Sequence, residues 1–201
     1  MAPQPRCSAG DPALPRWGPR STFEIMPAAK DWASDLERVN SLPLIAAESE
    51  LLKCCGSGKW AAQMVKQRPF ANLDELLNKA ERIWWSLEPT DWLEAFRSHP
   101  KIGEHKAAQQ TSPQAQNWSE QEQQSVRNAG AEIGQALAEL NCQYEEKFSY
   151  IFIVCATGKS SEEMLAILRE RLHNDPEREL RTAAAEQSRI TQLRLKKLIN
   201  Q

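Results

Sequence analysis

From Asp31 to the C-terminus, apolar residues recur at steps of three and four, and one stretch alone departs from that rhythm. Such spacing stacks side chains on one face of a helix, so nearly all of this region is expected to fold as helices that each bury one stripe. Leu36 and Val39 mark a first short helix, and Leu44 to Cys55 a second, closed by Gly56 and Gly58, which suit a C-terminal cap. Trp60, Met64 and Val65 mark a third, stopped by Pro69. Asn72, with Glu75 three residues on, opens a fourth whose apolar face is Leu73, Leu76, Leu77, Ala80 and Trp84. A short helix follows near Asp91 to Arg97. The next is expected to run from Ser119 to about Tyr144, with Val126, Gly130, Ile133, Leu137, Leu140 and Tyr144 as its stripe. Two more finish the chain, one opened by the Ser160 and Glu163 capping box, the other by Asp175-Pro176.

The departure is Tyr150-Ile151-Phe152-Ile153-Val154-Cys155-Ala156, continuous and β-rich. Periodicity reads it as one buried strand. A lone strand has nothing to pair with, so it is expected to be an extended segment inside a helical protein. The fold class is therefore all-α, a single-domain helical bundle over residues 26–201 with one extended segment. Residues 1–25 read as a disordered tail, because Pro3, Pro5, Pro12, Pro15 and Pro19 interrupt any helix and little there could bury a face. The tail lacks the apolar core of a secretory signal; an organelle transit peptide is its second reading. The last residues, Leu198 to Gln201, are not the Ser-Lys-Leu peroxisomal address, and a cytoplasmic protein is the expectation.

Composition removes several function classes. With 25 Lys and Arg against 27 Asp and Glu, no basic field invites nucleic acid. The longest apolar run is too short to span a bilayer. Cys7, Cys54, Cys55, Cys142 and Cys155 contain no C-x-x-C pair, which argues against a disulfide framework or a zinc module and for reduced thiols. Gly158-Lys159-Ser160 looks like the end of a phosphate loop, but Ile153 stands where that motif needs its first glycine.

Three residues can carry chemistry, each with a plainer reading beside it. His99 precedes Pro100, so its helix must end near Ser98 and leave the imidazole at a helix C-terminus, where the dipole favours the protonated ring. It is a proton-transfer group or a capping histidine. Glu122 completes Ser119-Glu120-Gln121-Glu122, a capping-box pattern. It is a structural cap or part of a helix start that offers N–H groups to an anion. Arg194 falls in the middle of the apolar stripe formed by Leu180, Ala183, Gln187, Ile190 and Leu198. A guanidinium there needs an internal acidic partner or an anionic ligand.

Three segments in order, Ser98-His99-Pro100-Lys101-Ile102-Gly103, Trp118-Ser119-Glu120-Gln121-Glu122-Gln123 and Phe152-Ile153-Val154-Cys155-Ala156, resemble those of the 2-oxo-4-hydroxy-4-carboxy-5-ureidoimidazoline (OHCU) decarboxylases of urate breakdown. Cys54 to Ser57, Arg68-Pro69-Phe70, Arg171 to Asp175 and Leu193-Arg194-Leu195 add to the resemblance, which spans roughly Glu37 to Leu198. It implies an all-α homodimer that needs no cofactor or metal and takes OHCU to S-allantoin. It implies that His99 is the catalytic proton donor, paired with Glu122, with Pro100 beside the substrate. Ser119, Glu120, Gln121, Glu122 and Gln123 would line the site. The main chain of Phe152, Ile153, Val154, Cys155 and Ala156 would contact the ring and ureido group as an extended wall, and Arg194 would help hold the ligand. Proline is frequent in the family where Ile151 stands, and a basic residue where Thr157 stands. The competing reading is a non-enzymatic helical interaction module, which would show an exposed apolar groove rather than His99, Glu122 and Arg194 converging on one pocket.

Overall fold

The computed structural model describes residues 32–102, 112–122 and 130–200, with side chains from Leu36 onward apart from Ala131. Residues 1–25, His105 and Gln123 lie outside the described residues. The described chain forms α1 (Trp32–Ser41), α2 (Leu44–Cys55), α3 (Gly58–Lys66), α4 (Leu73–Trp85), α5 (Pro89–Arg97), α6 (Pro113–Glu122), α7 (Ala131–Phe148), α8 (Ser161–Arg171) and α9 (Pro176–Leu198). No strand occurs among the described residues. No helix among them is long and apolar enough to cross a membrane.

Local chemistry sets most of the helix ends. Asn72 Oδ1 accepts from the Glu75 N–H at 2.8 Å, and the Glu75 carboxylate accepts from the Ala71 N–H at 2.6 Å. Ser160 and Glu163 form a reciprocal capping box, and Asp175 caps α9 ahead of Pro176. The Arg68 guanidinium donates to the carbonyls of Val39 (3.0 Å) and Asn40 (3.2 Å) in the last turn of α1 and to that of Leu42 just beyond it (2.7 Å). Arg38 Nη2 donates to the Leu198 carbonyl at 2.6 Å, so α1 closes the C-terminal end of α9.

The long helix expected from Ser119 is not what forms. Ser119 lies near the end of α6, which starts at Pro113, and α7 opens separately after Gly130. The start signal is Ser112-Pro113: Ser112 Oγ accepts from the Ala115 N–H at 3.3 Å, and Pro113 loses nothing by lacking an N–H in the first turn. The Ser119-to-Glu122 box therefore does not cap a helix start.

Two apolar clusters hold these helices. The larger gathers Leu51, Trp60, Met64, Leu76, Trp84, Phe96, Ala183 and Leu195 from α2–α5 and α9. Three of its tryptophans bury their rings yet satisfy their N–H groups: Trp60 on the Ala80 carbonyl at 3.0 Å, Trp84 on that of Ala184 at 2.9 Å, Trp92 on that of Trp84 at 3.0 Å. The smaller cluster joins Leu137, Tyr144 and Phe148 of α7 to Met164, Leu165 and Leu168 of α8. Between them runs the segment 151–156, free of helix, turn or bend. Phe152, Val154 and Ala156 enter the smaller cluster, while Ile153 and Cys155 enter the larger. That alternation is the signature of an extended chain, and it makes the segment the seam between the two cores.

Gly56 ties the α2 terminus to the next region. Its φ of +84° is left-handed, and a Cβ there would stand 2.1 Å from Ser98 Oγ. Gly56→Ala is expected to cost about 1–3 kcal/mol from the backbone alone, with more from displacing Ser98. Chemical denaturation against wild type measures this loss.

Candidate active site

Three elements meet beside that seam. The first is the end of α5. Ser98 Oγ donates to the Ala95 carbonyl at 2.7 Å and the His99 N–H to that of Phe96 at 3.1 Å, after which Pro100 bars another turn. The second is the last turn of α6, where Ser119 and Glu122 share a face at i, i+3. The third is the extended segment. Together, His99, Pro100, Ile102, Ser119, Glu122, Phe152 to Thr157 and Ile190 line one recess of about 380 Å³, counted to its mouth.

Glu120 and Gln121 are exposed on the far side of α6 and do not line the recess. Helical geometry requires this, because only Ser119 and Glu122 of that turn can face inward together. Gln123, also expected to line the site, falls outside the described residues. Arg194 is 1 % exposed, and it too stands behind the recess rather than on its surface. Its guanidinium donates to Glu122 Oε2 at 2.9 Å, Glu122 Oε1 at 3.2 Å and Ser119 Oγ at 2.8 Å. Lys197 reaches the same carboxylate at 3.3 Å. Glu122 is thus engaged by two cations from α9, and the expected pairing of Glu122 with His99 is replaced by this one. The carboxylate lies at a helix C-terminus, where the dipole repels it, and the two cations offset that.

His99 is the other correction. Part of the residue reaches the surface, but Nε2 is buried and has no hydrogen-bond partner. Burial foremost, and then the Arg194 charge, hold its pKa well below the ordinary histidine range, while the Gln187 amide pulls weakly the other way. The helix dipole, expected to favour the protonated ring, is outweighed, and the imidazole is neutral at pH 7. Gln187 escaped notice as a site residue because it reads as one more member of the α9 stripe. Its Nε2 donates to the Cys55 carbonyl at 3.2 Å and Thr191 Oγ1 at 3.3 Å, leaving a buried Oε1 without a partner. Ile102, Thr157 and Ile190 were likewise missed, since apolar or small lining residues carry no chemical signal. Cys155 lines the recess, but burial pushes its thiol up, away from a nucleophilic thiolate. No cluster of His, Cys, Asp and Glu able to hold a metal occurs among the described residues.

An all-α bundle with a histidine, a carboxylate and an extended backbone wall around a small recess has the layout of an enzyme site rather than of an apolar docking groove. Residues 40–196 match the family model described as OHCU decarboxylase. The uric acid degradation bifunctional protein TTL of Arabidopsis thaliana is 40 % identical over 154 residues, 76 % of this chain and 47 % of that protein. The chain thus spans about half of that relative. The 2-oxo-4-hydroxy-4-carboxy-5-ureidoimidazoline decarboxylase of Amia calva is 32 % identical over 139 residues, 69 % of this chain and 79 % of that protein. A crystal structure of OHCU decarboxylase in the presence of (S)-allantoin superposes with a TM-score of 0.64 at 40 % identity, covering 76 % of this chain and 99 % of that one. The chain belongs to the OHCU decarboxylase family.

Two outcomes follow from the electrostatics. A histidine with a depressed folded pKa binds fewer protons folded than unfolded, so stability falls as pH drops below about 6.5. Wild type should lose up to about 1.4 kcal/mol per pH unit between pH 6.5 and 5 relative to His99→Asn. Melting both proteins across that range isolates His99, because the other two histidines are common to both. Glu122→Gln removes the carboxylate charge from the buried Arg194, and a loss of about 3 kcal/mol is expected in denaturant titrations.

Proposed function

We propose that this chain decarboxylates OHCU to S-allantoin without a cofactor. The observation that carries the reading is the buried, unpartnered Nε2 of a neutral His99 in a recess walled by extended backbone. The bond from the ring to the carboxylate breaks and carbon dioxide leaves; the electron pair forms a double bond to the neighbouring carbon, whose C=N electrons move onto nitrogen, and that nitrogen takes up a proton from water. This leaves an enol. The enol then loses its hydroxyl proton, and the neighbouring carbon, which bears the ureido group, gains one. A neutral imidazole suits that exchange: it accepts the hydroxyl proton and returns it to carbon as imidazolium. The wall leaves the imidazole on one face only, so protonation creates a single handedness. The Arg194, Glu122 and Lys197 cluster keeps cationic charge near the entering carboxylate and holds Ser119 in place. The interaction-module reading has no comparable support, because His99 and Glu122 face a shared recess and Arg194 stands directly behind Glu122.

The reading includes a homodimer. Leu44, Ile45 and Leu52 of α2 are exposed, Ile45 by 82 %, and form the apolar face that a second copy would cover. Ile45→Asp is expected to shift the mass measured by light scattering from dimer to monomer.

Freshly generated OHCU provides the decisive assay. Unassisted decay has no preferred face and yields racemic allantoin, without net circular dichroism. Wild type should yield the S form with a strong signal, and His99→Asn should lower kcat at least about a hundredfold. Racemic product at high protein concentration, with no acceleration, would refute the decarboxylase.

A further inference from the structure

The wall has no neighbouring strand, yet three of its backbone atoms are held by charged side chains, none of which lines the recess. Arg171 Nη1 donates to the Ile153 carbonyl at 2.7 Å. Glu186 Oε2 accepts from the Cys155 N–H at 2.8 Å. Lys159 Nζ donates to the Cys155 carbonyl at 2.7 Å. Two of the clamps, Arg171 and Glu186, are themselves anchored. Arg171 lies over the Phe152 ring at 4.7 Å and donates to Glu179 Oε1 from Nε at 2.7 Å. Glu179 also receives the Tyr144 hydroxyl and, on its other oxygen, Asn174 Nδ2 at 2.7 Å. Glu186 is ion-paired with Arg189.

In an extended chain the peptide groups of alternate residues point to opposite edges. Ile153 and Cys155 share one edge, and that edge is the one the clamps occupy. The groups of Val154, between them, must face the other way. We infer that Arg171, Glu186 and Lys159 are positioning residues for the reaction: they turn the polar groups of Ile153 and Cys155 outward and so fix those of Val154 toward the bound ring. They transfer no proton. Their contribution is the register of the wall, and through it the pose and handedness of the product. The inference rests on the decarboxylase reading.

Glu186 offers the cleanest test, since its bond to the wall is a single one. Glu186→Ala is expected to raise KM for OHCU about tenfold and to lower the excess of S-allantoin by a similar factor. The pH profile of kcat should stay where wild type has it, because His99 is untouched. Glu186→Gln retains an acceptor oxygen for the Cys155 N–H and should stay within about threefold of wild type on both readouts. Lys159→Met, which loses the bond to the Cys155 carbonyl, should move KM and handedness in the same direction as Glu186→Ala, and it decides the matter alone if the latter melts below the assay temperature. Folded variants with wild-type KM and handedness overturn the inference while leaving the decarboxylase reading intact. A displaced pH profile in Glu186→Ala also overturns it, since the residue would then act through His99. Wild type without turnover, run in the same series, removes the decarboxylase reading and this inference with it.

Discussion

A buried extended segment with no partner strand has backbone polar groups that must find hydrogen bonds elsewhere, and that constraint organises the centre of this protein. Left unmet, each such group would cost on the order of 1–3 kcal/mol. Helices cannot supply the bonds from their backbones, which are already paired internally. Long charged side chains must do it, and these are drawn inward from α8 and α9 and from the turn after the wall. Arg171 can be buried only because Glu179 is buried with it, and Glu179 only because Tyr144 and Asn174 complete its coordination. One unpaired extended segment thereby draws a polar network into a core that is otherwise apolar.

The same economy of charge governs the other side of the recess. Arg194 sits one helical turn or two from Gln187 and Ile190 on the inward face of α9, so a single helix presents an amide near His99, an apolar recess wall and a cation. Its pairing with Glu122 spans 72 residues of sequence and fixes α6 to α9. Because the guanidinium also acts on His99, the ion pair and the protonation of the imidazole are coupled: weakening the Glu122 carboxylate leaves the cationic field less compensated and the imidazole harder to charge.

Sequence periodicity was sufficient for the helical class, for the caps at Asn72, Ser160 and Asp175, and for the isolated extended run, because each is a local pattern with a local cause. The burial of Arg194 was legible in the same way, from its place in a stripe. Its partner was not, since nothing near Arg194 points to Glu122. The false start at Ser119 has a related origin. Ser-x-x-Glu satisfies the capping pattern in the abstract, and only the competing signal at Ser112-Pro113, together with the inward face shared by Ser119 and Glu122, shows that the pair is interior. His99 was legible as a residue but not in its charge, because desolvation depends on what packs around the ring and not on the helix that precedes it.

The bond from Arg38 to the Leu198 carbonyl ties the beginning of the described fold to its end. The last turn of α1 and the last turn of α9 are thereby held side by side. Loosening of either helix end would therefore be felt at the other, so the two ends of the described fold open together or not at all.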